Sequence, residues 1–304
     1  MNVIRAMKGL LLTCCFMTAL FAEDATAAEK GNPANNNGII ALQNAALNAD
    51  KPGPVRLEYF GHMAFRITTP EGLTLLVDPW KNDPSGTWGI WFPKEFPESR
   101  ANVALSTHGH YDHNALHRVK SHMVIDRVAG QWKFADVRVT GIADKHQYKS
   151  PGPVLWTELF PERGIDPVPP NNPPILDNTI FVFETGGLRI VHWGDNRPDA
   201  PESVYKAVGR PDVLILPVDD SQHVLGYAEI AGILKKLRPH VVIPTHYLVK
   251  GVSSVASTLM PADKWVAGNA VVENMTSPSV QLDVAAIRKL NGAVWYFGNT
   301  AVKP

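Results

Sequence analysis

The sequence predicts an α/β protein, of the α+β kind, in which sheets are covered by helices within one large domain. The chain has 304 residues, of which 45% are hydrophobic, so it can bury a large core. Strand patterns come in runs in the first half and alternate with helix patterns in the second, and no internal repeat is visible. This order of elements is typical of sheets packed against helices.

The N-terminal segment has the three-part layout of a secretory signal peptide. Two basic residues precede an apolar run, Gly9 to Ala22, and small residues follow it. Because this run is short for a membrane span, we expect residues 1–28 to be cleaved, the protein to be periplasmic or secreted, and no stable membrane insertion to remain. A retained anchor is the alternative. Cys14 and Cys15 lie in this segment, so the mature chain offers only His, Asp and Glu as metal ligands.

The predicted folded domain covers residues 55–304. Residues 29–54 before it are rich in Asn, Ala, Gly and Pro, which is typical of a flexible linker. The domain opens with three strand patterns, and a turn at Pro70–Gly72 joins the second to the third. These strands are "VRLEYFG", "MAFRITT" and "LTLLVDPW".

An aromatic, proline-rich segment without periodicity comes next. Its part from Trp88 to Phe96 is typical either of a loop packed over its own core or of a flap that grips a substrate. The following strand is "NVALSTH", and "NALHRVK" predicts a helix after it.

The second half alternates more regularly. Strands are predicted at "HMVIDRV", "ADVRVTGIA", "TIFVFETGG" and "LRIVHWGD", with Gly186-Gly187 as the hairpin turn of the last two. A proline-rich excursion, Lys149 to Asp177, interrupts them. The later elements are the helix "PESVYKAV", the strand "VLILPVDD", the helix "GYAEIAGILKKLRP", the strand "HVVIPTHY", and a tail from Val280 with one helix and the strand "AVWYFG".

A dense group of metal-ligand side chains follows the strand "NVALST". His108, His110, Asp112 and His113 lie within six residues. In an extended segment residues i and i+2 point the same way, so His108 and His110 can face one ion while Asp112 and His113 point toward a second. The pattern is far more specific than a solvated, His-rich helix start, and it indicates a metal site. Two coordination spheres that leave room for a bridging water need further ligands.

Three further candidates stand where predicted strands give way to loops: His146 in "GIADKHQY", Asp195 in "VHWGDN" and His246 in "IPTHY". Each of them alone could equally be structural. Lys plus Arg and Asp plus Glu both number 29, and no block of like charge stands out, which argues against nucleic acid as the main partner. We expect a small-molecule substrate instead.

Taken together, these residues resemble the metallo-β-lactamase superfamily. The strands "YFGHMAFRI" and "LLVDPW" resemble those of its branch that holds the phosphorylated-ascorbate lactonases and N-acyl-phosphatidylethanolamine phospholipase D. The resemblance spans Val55 to Tyr247 and implies a four-layer αββα sandwich with the site between the sheets. The residues that match the five-part motif of the superfamily are His108, His110, Asp112, His113, His146, Asp195 and His246.

The resemblance also implies two divalent metal ions and a hydrolytic chemistry. Zinc suits the donor set best, and manganese or iron would fit as well. A hydroxide that bridges the ions would cleave an ester, a lactone or a phosphodiester, and Asp112 would orient it. The implied ligands are His108, His110 and His146 for one ion, Asp112, His113 and His246 for the other, and Asp195 between them.

Several residues outside the motif are secondary candidates. His223 is a candidate substrate contact or general acid, against a plain surface position. His62 is expected to support or line the site, with a packed structural histidine as the alternative, and His192 to support the ligands or the fold rather than to bind a metal. Asp219 and Asp220 would either orient ligands or cap the next helix.

Two departures limit the choice of substrate. The best-known β-lactamases of this superfamily place a cysteine in the second site, where this chain has Asp195, so antibiotic hydrolysis is disfavoured. The motif "GD" usually continues with Thr or Ser, but here Asn196 and Arg197 follow. The competing hypotheses are a mononuclear iron oxygenase of the same superfamily and a non-catalytic, metal-stabilised binding protein. A homo-oligomer is also compatible with the resemblance, because relatives of this branch often associate.

Overall fold

Two β-sheets and a few short helices make up the described part of the chain. The computed structural model describes residues 49–86, 89–147, 164, 176–220, 224–253 and 259–302, which belong to one compact unit, Ala45–Pro304. The predicted signal peptide, most of the predicted linker, Trp88, nearly all of the proline-rich segment and His223 lie outside the described residues.

The first sheet has six strands in the order β13-β1-β2-β3-β4-β5. β1, β2 and β3 are antiparallel neighbours, as their short connections require, whereas β3, β4 and β5 run parallel. A backbone hydrogen bond of 2.9 Å from Thr69 to Leu73 closes the predicted turn between β2 and β3. The strands are β1 (Val55–Tyr59), β2 (Phe65–Thr68), β3 (Thr74–Val77), β4 (Ser99–Ser106), β5 (Val119–Asp126) and β13 (Ser279–Leu282).

The second sheet has eight strands in the order β12-β14-β11-β10-β9-β8-β7-β6. Its half from β9 to β12 is parallel and its half from β6 to β9 is antiparallel. Gly186 and Gly187 have φ of +60° and +75°, so they form the predicted hairpin turn between β8 and β9. The strands are β6 (Gly130–Phe134), β7 (Val137–Lys145), β8 (Asp177–Thr185), β9 (Leu188–His192), β10 (Val213–Pro217), β11 (Val241–Thr245), β12 (Val272–Asn274) and β14 (Ala293–Tyr296).

Helices pack on the second sheet. The described helices are α1 (Glu202–Val208), α2 (Tyr227–Leu237), α3 (Asp263–Ala267) and α4 (Val284–Ile287). α2 buries Ile230, Ile233 and Leu237, one stripe of an amphipathic helix, in a core cluster with strand residues such as Val191 and Leu214. None of the described helices combines the length and the apolar character that a membrane crossing requires.

The aromatic segment packs on the first sheet. Leu76 and Ala104 are neighbours on one face of that sheet, and Trp80, Phe92 and Phe96 cluster with them. The rings of Trp80 and Phe92 stack with their centroids 3.9 Å apart. The described part of the segment is therefore packed over its own core, as one of the two interpretations predicted. The mixed α/β class with two sheets, predicted from the sequence, is confirmed.

The predicted helix over "NALHRVK" is wrong. Only Leu116–Arg118 form a short 3₁₀ turn, and β5 starts at Val119. The amide of Ala115 bonds to the Pro79 carbonyl at 2.7 Å, and Val119 pairs with Ser99 of β4. Tertiary pairing has overridden a weak, seven-residue helix pattern.

The tail from Val280 has the predicted helix and strand, α4 and β14, and it also has a strand that was not predicted. Ser279–Leu282 form β13, which pairs antiparallel with β1 and covers an edge that would otherwise be open. The helix α4 follows with only four residues, and Asp283 caps it by accepting a hydrogen bond from the Ala286 amide at 2.7 Å.

The end of the predicted linker contacts the β8–β9 hairpin. Ala49 is 3% exposed, and its carbonyl accepts a hydrogen bond from the Gly187 amide at 3.2 Å. The Gly53 amide donates to the Gly186 carbonyl at 3.4 Å. Residues 49–54 are thus packed against the domain that the sequence predicts from residue 55.

Candidate metal centre

The candidate site lies in loops at the carboxyl ends of strands. His108 follows β4, Asp195 follows β9 and His246 follows β11 directly. Because parallel strands end at the same edge of a sheet, their following loops meet there. His62, in the turn between β1 and β2, reaches the same place.

Two groups of buried or half-buried donor atoms result. Within each group the ligand atoms all lie within 4.8 Å of one another. His110 is half-buried, and the other members are buried. The first cluster is His108, His110, His146 and Asp195, and the second cluster is His62, Asp112, His113 and His246.

Four of these histidines share one arrangement of their two ring nitrogens. Nδ1 lies beside a polar group of the fold, and Nε2 points into the site. Where this contact is a hydrogen bond, as it is for His113, His108 and His146, the partner fixes the orientation and the tautomer of the imidazole. The Nδ1 partners are Asp78 Oδ2 for His113 at 2.8 Å, Thr107 Oγ1 for His108 at 3.1 Å, the Gln147 carbonyl for His146 at 2.6 Å, and Asp219 Oδ2 for His246 at 3.6 Å.

Asp195 lies between the two clusters. Its Oδ2 is near Nε2 atoms from both of them: 3.2 Å from His246, 3.4 Å from His146, 3.5 Å from His113 and 3.7 Å from His108. The residue is 0% exposed, and neither carboxylate oxygen has a hydrogen-bond partner among the described residues. A buried carboxylate without hydrogen bonds is costly unless a cation compensates it, so this donor set fits a bound divalent metal.

The separations between donor atoms support the same fit. Two ligands of one tetrahedral zinc ion, with bonds of about 2.0–2.1 Å, lie roughly 3.3 Å apart. Asp112 Oδ2 is 3.4 Å from His113 Nε2 and 3.5 Å from His246 Nε2. These atoms are spaced as ligands of one ion.

The buried charges of the site are strongly coupled. Burial by itself would raise the pKa of Asp112 and Asp195, but nearby histidines, chiefly His113 for Asp112 and His246 for Asp195, hold both pKa values well below the usual range. Burial, with a contribution from His246, lowers the pKa of His62 to about 4, so this ring is neutral at pH 7. Against the effect of burial, the same two carboxylates raise the pKa of His113 and His246 well above the usual range, so a cation bound here would replace the protons of these rings.

Three of the seven described non-glycine residues with positive φ lie at the site. His62, Asp78 and His246 are non-glycine residues with φ of +56°, +50° and +57°. Such conformations are unfavourable and persist where the surrounding structure enforces them, often at functional sites.

The structure brings all seven predicted ligands together, in the two groups and the bridging position that the sequence resemblance implies. Their roles as ligands stay predictions. His192 belongs to neither cluster, and its Nε2 donates to the Met63 carbonyl at 2.8 Å. Asp219 faces His246, whereas Asp220 accepts a hydrogen bond from the Tyr227 amide at the start of α2. Asp219 is therefore placed to orient a predicted ligand, whereas Asp220 caps the next helix.

Sequence reasoning missed the role of Asp78. Asp78 is fully buried and accepts hydrogen bonds from the Thr107 amide and hydroxyl, both at 2.7 Å, as well as from His113. Its position at the end of the strand "LLVDPW" was the available signal. The Trp91 ring lies 5.7 Å from the ring of His62 and 5.8 Å from that of Tyr111, so it forms part of the wall beside the second cluster.

Comparisons with known proteins identify the family of this chain. The model of the beta-lactamase superfamily domain matches residues 56–246. A protein named UPF0173 metal-dependent hydrolase from Myxococcus xanthus is 26% identical over 240 residues, which cover 75% of this chain and 82% of that protein. A protein of the same name from Thermodesulfovibrio yellowstonii is 39% identical over 219 residues, which cover 64% of this chain and 79% of that protein.

A solved structure shows the same fold. It is a crystal structure from Thermotoga maritima, described as a proposed Zn-dependent hydrolase of the metallo-β-lactamase superfamily. The TM-score is 0.56 at 24% sequence identity, and the match covers 80% of this chain and 98% of that one. The family match spans more than half of the chain, and the predicted enzyme class agrees with the relatives. The chain belongs to the beta-lactamase superfamily domain family and is a metal-dependent hydrolase of the metallo-β-lactamase fold.

Proposed function

We propose that this chain is an exported dinuclear hydrolase that cleaves an ester, a lactone or a phosphodiester of a small molecule. The observation that carries the proposal is the position of Asp195. Its Oδ2 lies within 3.7 Å of Nε2 atoms from both clusters, as a carboxylate that bridges two ions requires. Zinc is the proposed metal, and manganese or iron would also suit these donors.

The proposed chemistry divides between the ions and the chain. When bound, a pair of divalent cations lowers the pKa of a shared water toward neutrality and polarises a carbonyl or phosphoryl oxygen. His108, His110 and His146 would hold one ion, and His113 and His246, with Asp112, the other. Asp112 would also orient the attacking water. His223 remains a proposed substrate contact or general acid outside the described residues.

The proposed substrate class is supported by the resemblance to the branch of lactonases and phospholipase D and by the walls of the site. Tyr111 is a half-buried aromatic side chain beside the second cluster and packs on the buried Trp91, so an apolar or acyl part of a substrate could pack on its exposed part. This supports the likeness to the branch that holds lactonases and a phospholipase D. Export is supported by the signal-like residues 1–28, and a homo-oligomer is proposed from the same family likeness.

The test combines metal analysis with a substrate panel. Protein purified from metal-supplemented cells should contain two divalent ions per chain, and its intact mass should show that the chain starts near residue 29. It should hydrolyse at least one of a p-nitrophenyl ester, bis(p-nitrophenyl) phosphate and a set of lactones. His110→Ala should lower that rate by more than roughly 100-fold, because the loss of outer partners of ligands alone costs 10- to 100-fold.

The control is His122→Ala, at an exposed histidine of β5, which should keep the wild-type rate. One iron per chain and no second metal would favour the oxygenase instead. Two metals without turnover of any substrate in the panel would favour the metal-stabilised binding protein.

A further inference from the structure

His62 lies in a tight and strained turn that points its ring into the site. The turn between β1 and β2 is closed by hydrogen bonds from the Phe60 amide to the Ala64 carbonyl at 2.8 Å and from the Ala64 amide to the Gly61 carbonyl at 2.9 Å. With φ of +56°, His62 has a backbone conformation that its side chain disfavours. The turn therefore fixes the direction in which the His62 side chain leaves the backbone.

The ring of His62 meets the carboxylate of Asp112. His62 Nε2 lies 2.9 Å from Asp112 Oδ2, and both side chains are less than 5% exposed. On its other sides the ring packs on His246, with centroids 4.1 Å apart, and on the edge of Phe92 at 5.5 Å. The His62 ring is thus packed among Phe92, Trp91 and His246, and Asp112 is its hydrogen-bond partner.

The distances from Asp112 Oδ2 to the three neighbouring histidines distinguish a hydrogen-bond donor from metal ligands. His113 and His246 stand 3.4 and 3.5 Å from Asp112 Oδ2, close to the roughly 3.3 Å between two ligands of one tetrahedral ion. The 2.9 Å between His62 and the same oxygen is shorter and equals the usual length of an N–H···O hydrogen bond. Because an ionised carboxylate can only accept, His62 donates through Nε2–H.

We infer that His62 is a positioning residue, whose Nε2–H donates to Asp112 Oδ2 and holds that carboxylate in the orientation that a metal at the second cluster needs. The inference rests on the proposed two-metal function and extends it to a residue outside the seven predicted ligands. Its consequence is asymmetric. Loss of the hydrogen bond lowers the affinity for the ion held by Asp112, His113 and His246. It leaves the affinity for the ion at the first cluster unchanged.

The test compares two variants that carry the same backbone strain. His62→Phe keeps a ring against His246 but removes the donor, whereas His62→Gln keeps an N–H donor without a ring. Metal-free proteins are titrated with Zn²⁺ against a competing chelator, and with Co²⁺ followed by its visible absorption, so that the two equivalents are resolved. His240→Phe is the control, because this half-buried histidine bonds to the Leu290 carbonyl and belongs to neither cluster.

We expect His62→Phe to lower the affinity for one equivalent of metal by roughly 10- to 100-fold and to leave the affinity for the other unchanged. The affinities of His62→Gln should stay within about threefold of those of the wild type. If the Phe variant does not fold by circular dichroism, His62→Leu replaces it. If His62→Gln bound metal as weakly as the Phe variant, the ring itself would be a ligand, and the inference would be overturned. Equal weakening of both equivalents, or of neither, would overturn it as well.

The same titration keeps the two proposals apart. A wild-type protein that binds fewer than two equivalents contradicts the dinuclear function, and the role of His62 falls with it. Two equivalents in the wild type and in an unaffected Phe variant contradict only the role of His62.

Discussion

At the scale of single residues, Asp78 connects the predicted ligands to the body of the fold. One carboxylate accepts from the backbone and the hydroxyl of Thr107 and from Nδ1 of His113. Thr107 in turn contacts Nδ1 of the next residue, His108. Asp78 therefore orients a histidine of each cluster, one directly and one through Thr107.

Asp78→Asn should weaken metal binding without unfolding the protein. Asn keeps the size of Asp but removes the charge and one acceptor oxygen, so His113 loses the charged partner that fixes its ring. We expect metal affinity to fall by roughly 10- to 100-fold. Chelator competition on the purified variant measures the change.

Asp136→Asn is the matched control for this variant. Asp136 is also a buried carboxylate, which accepts from Thr69 Oγ1 at 2.6 Å and from the Glu71 amide at 2.9 Å, but it belongs to neither cluster. Its replacement should lower stability and leave metal affinity unchanged. Equal losses of affinity in both variants would show that Asp78 acts only through general stability.

The sequence predicted the ligand set but could not predict how the ligands are oriented. The local spacing indicated four of the predicted ligands, His108, His110, Asp112 and His113. The other predicted ligands were indicated by their place after apolar strands. Asp78 is 29 residues from Thr107 and 35 from His113, so only the pairing of β3 with β4 brings them together. The contact of His62 with Asp112 spans 50 residues and depends equally on the sheet.

At the scale of elements, the strand ends and their tight turns build the site. The strands with long apolar runs were predictable, because burial on both faces leaves few alternatives. Short or exposed elements were not: β6, β12, β13 and α3 had no recognised signal, and they depend on neighbouring strands or loops. The helix predicted over "NALHRVK" failed for the same reason, since the pairing of β5 with β4 decides that stretch.

Gly194 allows a test of how a tight turn positions a site residue, because it lies in the turn that precedes Asp195. Its φ is +60°, and a Cβ there would collide with Asn178 Oδ1 and lie 2.9 Å from Thr107 Cβ. Asn178 Oδ1 also accepts from the Asp195 amide at 3.2 Å. Gly194→Ala should therefore cost about 1–3 kcal/mol of unfolding free energy and lower hydrolysis, as urea unfolding and rate assays measure.

Gly72→Ala separates the collision from the backbone strain. Gly72 has φ of +88°, and nothing lies within 4 Å of a Cβ at this position. This variant should show only the strain of the left-handed backbone, about 1–2 kcal/mol, and keep full activity. If Gly194→Ala behaved in the same way, the close packing around the turn would have no part in placing Asp195.

At the scale of the whole molecule, the site joins the two sheets. His108, Asp112 and His113 come from the loop after β4 of the first sheet, whereas Asp195 and His246 follow strands of the second. Direct hydrogen bonds also join the sheets beside the site, from Thr245 Oγ1 to Met63 Sδ at 2.7 Å, from His192 Nε2 to the Met63 carbonyl at 2.8 Å and from the Thr179 amide to the Thr107 carbonyl at 2.8 Å. Bound ions would thus connect the sheets as well as supply chemistry.

Removal of the metals should therefore destabilise the entire domain. Each ion present at 100 times its dissociation constant contributes about 2.7 kcal/mol to the folded state, so two ions contribute about 5 kcal/mol. For a domain of this size, 1 kcal/mol corresponds to roughly 2–4 °C in Tm, and chelation should lower Tm by about 10–20 °C. Calorimetry with and without a chelator measures this shift, and added Zn²⁺ should restore the original transition. An unchanged Tm after verified removal of the metals would mean that the buried carboxylates are compensated by protonated histidines alone, and that the ions serve only the reaction.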